Sequence, residues 1–189
     1  MPATLLTAPA EEPLTLAEAK AFLRLDHDDD DTLIAALIAS ARLHVEALTR
    51  RALVTQTWRV TRDAWPANGR LALLPAPVRN IVSVTVAAAG GAVQAVPAES
   101  FDADFAAAPA VLAFAPGSLP APGMRKAGIA VTFEAGYGAA ADVPAPLRQA
   151  VRLIAAHYYE NRGALPGNGA APLPGSLAPL VAPYRVLAL

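Results

Sequence analysis

The sequence contains no cysteine. Disulfides, zinc–thiolate sites and thiol catalysis are therefore excluded. The stretch from Met1 to Pro13 has no basic segment and is broken by prolines, so no secretory signal is expected. None of Ser40, Ser83, Ser100, Ser118 and Ser176 stands in a Gly-x-Ser-x-Gly elbow. No internal repeat recurs. Charge of one sign does not dominate, because the formal net charge is −1, which argues against a surface that grips nucleic acid throughout. Three uncharged stretches, 80–98, 105–124 and 163–184, are long enough to suggest membrane spans. The first contains Gly90-Gly91 between alternating β-branched residues, and the other two carry too many prolines and glycines for a spanning helix. The expectation is a soluble chain made in the cytoplasm.

What is present is mostly apolar and mostly small. Apolar residues make up 54% of the 189, and 46 of the 189 are alanine. This length holds one domain, or one core with a sizeable insertion. Charge is distributed unevenly. Residues 1–41 carry eight acids and two bases, residues 42–79 seven bases and two acids, residues 80–147 five acids and two bases, and residues 148–189 four bases and one acid. Two readings stand: ordinary solvated faces, or a chain with one acidic and one basic side, able to stack head to tail with copies of itself.

Periodicity supplies the elements. Thr15 and Glu18 form a capping box before Leu16, Ala19, Phe22 and Leu23, which share one helical face. A longer helix is expected from about Asp29 to Thr49, N-capped within the run Asp28 to Asp31. Its stripe is Leu33, Ile34, Leu37, Ile38, Ala41, Val45 and Leu48, and the carboxylates suit its positive end. Arg50 and Arg51 suit the other end. Strands are expected at 55–62, 71–74, 81–86, 93–96, 101–105, 111–114 and 129–134, with Gly90-Gly91 as a turn and Gly136 and Gly138 closing the last. Pro144 and Pro146 open a third helix whose stripe is Leu147, Val151, Ile154, Ala155 and Tyr158, ended by Gly163. A Gly/Pro/Ala-rich tail finishes on the apolar cluster Leu177, Leu180, Val181, Tyr184, Val186, Leu187 and Leu189. The fold class is α+β: a small helical core of two N-terminal helices and one C-terminal helix, an inserted antiparallel β-rich region, and an extended C-terminal tail. The divisions are 1–62 (helices and first core strand), 63–127 (β-rich insertion), 128–163 (last core strand and helix) and 164–189 (flexible tail with an apolar, partner-binding end, the alternative being that it folds back on its own helices).

Chemistry finds little purchase. The aspartate run fails the calcium-loop pattern, because the frame from Asp26 puts Asp31 and Leu37 at positions six and twelve, and the frame from Asp28 puts Leu33 and Ala39 there. Gly136 to Ala141 matches a dinucleotide fingerprint formally, but Asp142 to Pro146 separates it from the helix that would have to receive a pyrophosphate. His157 with Glu160 is one helical pairing where a carboxylate-bundle metal site needs several, and His44 with Glu46 and His27 beside the aspartates add no second such motif. Tyr158, Tyr159 and Arg162 close the third helix; core packing is the ordinary reading, and interface anchoring the sharper one. No catalytic residue, cofactor or metal is expected.

Four stretches together resemble a known family. They are Leu14 to Lys20 with Leu23-Arg24-Leu25; Asp31 to Arg42 through Val45-Glu46 and Thr49 to Leu53, ending in Gln56-Thr57-Trp58; Val131 to Gly138 with Pro144 to Arg162; and Pro183-Tyr184-Arg185. Their order and spacing resemble the head–tail connector, or adaptor, proteins of tailed phages and phage-derived particles, gene transfer agents included. About half the chain takes part; residues 63–127 match only as a β-rich insertion. The resemblance implies a structural virion protein that is not an enzyme. It would form a ring, typically of twelve copies, on the portal, extend the DNA channel and join capsid to tail. Its partners would be its own copies, the portal protein and stopper or tail proteins; DNA would pass without sequence-specific binding, and no membrane would be involved. Its place would be the neck of a virion or phage-like particle assembled in the bacterial cytoplasm. On this reading Arg50, Arg51, Arg59 and Arg62 are candidate ring contacts, and Leu180, Tyr184, Arg185 and Leu187 candidate portal contacts. The rivals are a tail-completion or stopper ring protein and, from another class, a small-ligand-binding α+β protein or an enzyme with an unrecognised site.

Overall fold

The computed structural model describes residues 3–161 and 173–187. The chain divides into two compact units. One comprises Met1–Pro9, Thr55–Gly136 and Val186–Leu189, the other Ala10–Val54 and Tyr137–Arg185.

The second unit is helical. Helix α1 (Leu16–Leu23) opens with the expected capping box: the Thr15 hydroxyl accepts the Glu18 N–H at 3.2 Å and the Glu18 carboxylate accepts the Thr15 N–H at 2.9 Å. Arg24, at φ 58°, ends it in the left-handed region. Helix α2 (Asp31–Thr49) buries Ile34, Ile38, Ala41 and Val45, four of the seven stripe residues, with Leu48 packed against the same core, whereas Leu33 stays exposed, as does Phe22 of α1. By length and composition α2 could cross a membrane, but its apolar face is spent on the core of this unit. Helix α3 (Ala145–Glu160) starts after Pro144, as the prolines predict, and buries Leu147, Ala150, Val151, Ile154 and Ala155 against the same core.

Two expectations need correction in this unit. The aspartate run does not supply a side-chain cap to α2: Asp30 occupies the cap position without the capping hydrogen bond, at φ −100° and ψ 7°. Its carboxylate instead accepts the Tyr159 hydroxyl at 2.5 Å, a long-range partner that local spacing does not reveal. The tail, in its described part, is not loose. Residues Leu177–Val181 form a short helix, α4, followed by a 3-10 turn at Ala182–Tyr184. Leu177 and Val181 are buried in the helical core, with Leu173, Leu180 and Tyr184 packed against it. The physical reason is the apolar spacing Leu177, Leu180, Val181, Tyr184, which makes a one-sided turn that gains more by closing this core than by facing water. The third helix ends at Glu160, capped by Asn161, before the Gly163 expected to end it; Arg162, Gly163, most of the Gly/Pro/Ala-rich stretch and Leu189 lie outside the described residues.

The first unit is a β structure. Strands β1 (Thr4–Thr7), β2 (Gln56–Arg62), β4 (Val78–Ala87), β5 (Val93–Ala95) and β8 (Ile129–Ala135) form a five-stranded sheet in the order β1-β2-β8-β4-β5, antiparallel at every step. Strands β3 (Arg70–Leu73), β6 (Asp102–Asp104) and β7 (Ala110–Ala113) form a second sheet in the order β3-β7-β6. Strand β1 was not expected from the sequence. The strands at 56–62 and 129–135, grouped with the helices by sequence, pair with each other inside this sheet, and the second of them pairs with β4 as well. Period-two alternation sets its faces: Val60, Val84, Val86, Ile129, Val131 and Phe133 are buried, whereas Arg59, Thr61, Ser83, Thr85 and Ala130 lie on the opposite face. Gly69 and Gly123 allow close backbone approaches, since a Cβ on Gly69 would stand 2.3 Å from the Phe114 carbonyl oxygen and one on Gly123 2.0 Å from the Ala89 nitrogen. Trp65 donates its indole N–H to the Pro120 carbonyl at 2.9 Å and meets Phe114 edge-on, which ties down the loop after β7.

The end of the chain therefore tests the helical unit itself. Leu177→Ala should lower its stability by about 2–5 kcal/mol, as for other fully buried leucines. Denaturant unfolding followed by circular dichroism measures this, and an unchanged midpoint would show that α4 adds nothing to the core.

Candidate interaction site

Acids near the N-terminus and bases further along meet inside the helical unit. Arg42, 6% exposed, donates through Nε to Glu12 at 2.8 Å and through Nη1 to Glu46 at 2.9 Å. The other Glu46 oxygen accepts the Leu53 N–H at 2.9 Å, beyond the C-terminal end of α2. Burial by itself works against the Arg42 charge, but Glu12 and Glu46 outweigh it and hold the guanidinium protonated. Glu18 takes Arg148 at 2.7 Å and Arg152 at 3.2 Å, both from α3. Arg148 also donates to the Pro13 carbonyl, and Glu11 accepts the Ala140 N–H. Lys20 sits against Asp28 and Asp31, an ammonium in the acidic turn where a metal reading would put a cation. Hydrogen bonds to Asp28 and Asp31 push its pKa up, and the same ammonium holds Asp28 low. Glu12, Glu18, Asp28 and Asp31, half of the acids in residues 1–41, are thus paired within the helical unit.

Glu18 gives this network a pH dependence. The Thr15 N–H, the Thr15 hydroxyl and the two arginines hold its carboxyl below the ordinary value, against a smaller opposing effect of burial. A lowered folded-state pKa contributes stability that is present above the unfolded value and lost as pH falls through the folded one. Thr15→Ala should therefore cost about 1 kcal/mol at neutral pH, or about 2–4 °C for a chain of this size. Glu18→Gln should flatten the acid side of the stability curve. Thermal melts between pH 3 and 7 would read both, and an unaltered acid limb in Glu18→Gln would contradict the assignment.

The remaining sequence candidates fall where ordinary packing explains them. His44 and Tyr158 are hydrogen-bonded at 2.6 Å and stacked, with ring centroids 6.3 Å apart. Asn161 reaches the His157 carbonyl at 2.8 Å and so closes α3. Gly136 and Gly138 adopt φ 133° and 136° and lead into a three-residue 3-10 turn, Ala140–Asp142, in which the Asp142 carboxylate accepts the Ala139 N–H. Such a turn is too short to present a helix terminus to a phosphate. Among the described residues, no three His, Asp or Glu side chains are grouped to hold a metal ion.

Of the four candidate ring arginines, Arg50 is exposed at the left-handed end of α2 (φ 56°) and Arg59 is exposed on β2. Arg51 is committed internally: its Nε donates to the Tyr184 carbonyl at 2.6 Å, and its guanidinium lies 6.0 Å from the centre of the Tyr137 ring. It fastens the 3-10 turn after α4. Arg62 is half-buried and donates to the Thr61 carbonyl at 3.0 Å. Of the four candidate portal residues, Leu180 and Tyr184 are half-buried against the helical core, Arg185 is exposed, and Leu187 is 82% exposed. Arg185 lines an open groove of about 360 Å³ together with Leu48, Leu173, Leu177, Ala178 and Val181. On the sheet, a second open groove of about 350 Å³ is lined by Arg59, Ser83, Thr85, Val93 and Thr132.

Residues 13–88, which span α1, α2 and β2 to β4, match the family model described as Phage gp6-like head-tail connector protein. This part of the chain carries the connector pattern. Solved structures extend the likeness over the full length. A chain from the neck of an empty gene transfer agent (GTA) particle, computed with C6 symmetry, is 27% identical with a TM-score of 0.83, covering 100% of this chain and 97% of that one. A chain from the virion of a native GTA particle is 26% identical with the same TM-score of 0.83 and the same coverage. A chain from the neck of a native GTA particle, computed with C12 symmetry, is 26% identical with a TM-score of 0.76. No match is found among curated proteins.

Proposed function

We propose that this chain is a structural head–tail adaptor: a subunit of a ring in the neck of a phage-like particle, where it joins capsid to tail. The observation that carries the reading is a likeness over 100% of the chain, at 27% identity and a TM-score of 0.83, to a chain from a GTA particle neck. The connector match over residues 13–88 supports it independently. The ring holds twelve copies, consistent with the C12 symmetry of one similar neck. It stands on the portal and extends the channel through which DNA passes without sequence-specific contact. The role is structural, and assembly takes place in the bacterial cytoplasm.

Within this reading, Arg50, Arg59 and Arg62 serve contacts between copies, and Arg51 positions the turn at Tyr184. Arg185 and Leu187, exposed after that turn, face the portal, with Leu180 and Tyr184 supporting them from the packed side. The portal-facing segment is thus presented on a folded turn. Exposed ion pairs contribute only about 0–1 kcal/mol each, so apolar and backbone contacts must carry most of the ring.

Sedimentation and native mass spectrometry of the purified protein test ring formation. Twelve copies of the 19.4 kDa chain make a particle of roughly 230 kDa. Ring assembly with or without added portal supports the reading, and a monomer at every concentration and with portal present contradicts it.

A further inference from the structure

Both edges of the five-stranded sheet are open. Among the described residues, β1 pairs only with β2 and β5 only with β4. The hydrogen-bond pattern shows which backbone groups of β5 face outward. Val96 donates to the Val84 carbonyl and Ala88 to the Ala92 carbonyl, so the bonded pairs of this ladder are 84 with 96, 86 with 94 and 88 with 92. Val93 and Ala95 occupy the alternate positions, and their N–H and C=O groups point away from β4. At the other edge, all four residues of β1 are exposed.

Both edge strands are short, and the β1–β2 register shifts between Leu5 and Thr7, but neither carries a charge or a proline: β1 reads Thr-Leu-Leu-Thr and β5 reads Val-Gln-Ala. Both expose apolar side chains: Leu5 is 37% exposed, Leu6 44% and Val93 68%. Direction matters as much as composition. Five strands that alternate strictly leave the two outermost ones running the same way. In a ring, neighbouring copies are related by rotation, so β5 of one copy and β1 of the next would pair in the parallel rather than the antiparallel sense. The contact is heterologous, one edge against the other, which is the kind of contact that a closed ring requires.

We infer that β1 of one subunit adds to the open edge of β5 in the next, joining the sheets of neighbouring copies by backbone pairing. The inference rests on the ring reading above and names the contact that builds it. The paired segments are short, three and four residues, so side-chain contacts around them complete the interface.

Because the protein has no cysteine, cross-linking offers a clean test. Two double variants, Leu5→Cys with Gln94→Cys and Leu6→Cys with Gln94→Cys, sample both faces of β1, since successive side chains alternate. Under mild oxidation one of them should give a ladder of covalent oligomers on a non-reducing gel, whereas each single variant stays a monomer. A second arm uses Val93→Pro, which removes an outward N–H and leaves the β4–β5 bonds in place. It should abolish the ring peak in sedimentation while the circular dichroism of the subunit is unchanged. If the wild type and both double variants form normal rings without a ladder, and Val93→Pro rings persist, strand pairing is wrong and the ring reading stands. Dimers from single variants would overturn it in favour of like-edge pairing. A wild type that never forms rings, alone or with portal, would overturn the ring reading and this contact with it.

Discussion

Replacing Arg42 with alanine should destabilise the helical unit by about 3–5 kcal/mol. The Arg42 side chain is 8% exposed and lies between Glu46, 11% exposed, and Glu12, 30% exposed. Without the guanidinium, Glu46 loses its Arg42 partner in a largely buried site, where it still accepts the Leu53 N–H. The effect is the cost of a buried carboxylate deprived of its arginine more than the loss of an attraction, and a compensating variant shows the difference. Arg42→Met combined with Glu46→Gln removes both charges and keeps an acceptor for Leu53, so it should recover most of the lost stability. Urea unfolding of the two variants provides the measurement. A single variant within 1 kcal/mol of wild type, or a double variant no better than the single, would contradict this account.

The second large effect belongs to the sheet. Phe133→Ala should cost about 3–5 kcal/mol. Phe133 is fully buried on β8, the central strand, and stands opposite Trp58 of β2 and Ile81 of β4. Truncation leaves a cavity on the buried face of the sheet, where the backbone ladders on both sides of β8 limit collapse onto it. Phe133→Leu keeps most of the volume and should lose less than half as much. Equal stability of the alanine and leucine variants would mean that the site relaxes freely.

Much of this architecture could be read from the chain alone. The capping box of α1, the proline start of α3 and the Gly90-Gly91 hairpin are local signals, decided within a few residues, and each appears where its spacing placed it. What escaped was decided at a distance. Strand β1 has four residues and no alternation of its own, and it exists because β2 offers an edge to pair with. Asp30 looked like a cap because it precedes a helix, but a tyrosine 129 positions later claims its carboxylate. The apolar cluster at 177–184 looked like a tethered bait because the Gly/Pro/Ala-rich stretch before it suggested a loose tail. Burial against α3 is a tertiary property that no local pattern announces.

The candidate contacts were legible in type but less so in use. Counting charges showed opposite-sign segments correctly. It could not show that Glu12, Glu18, Asp28 and Asp31 would be matched by Arg42, Arg148, Arg152 and Lys20 of the same unit. Arg51 illustrates the limit, since it stands beside Arg50 in sequence but serves the Tyr184 turn rather than the surface. Uncharged open strand edges were invisible to a reading that looked for charge.

The central claim is a ring of this chain in the particle neck, and cryo-electron microscopy of intact particles that carry the protein tests it most directly. The account predicts a single ring of twelve copies between portal and tail, fitted over its full length by the fold described above, with DNA density passing through its centre. Particles whose neck contains no density for this chain, or in which it lies elsewhere in the capsid or tail, would contradict it.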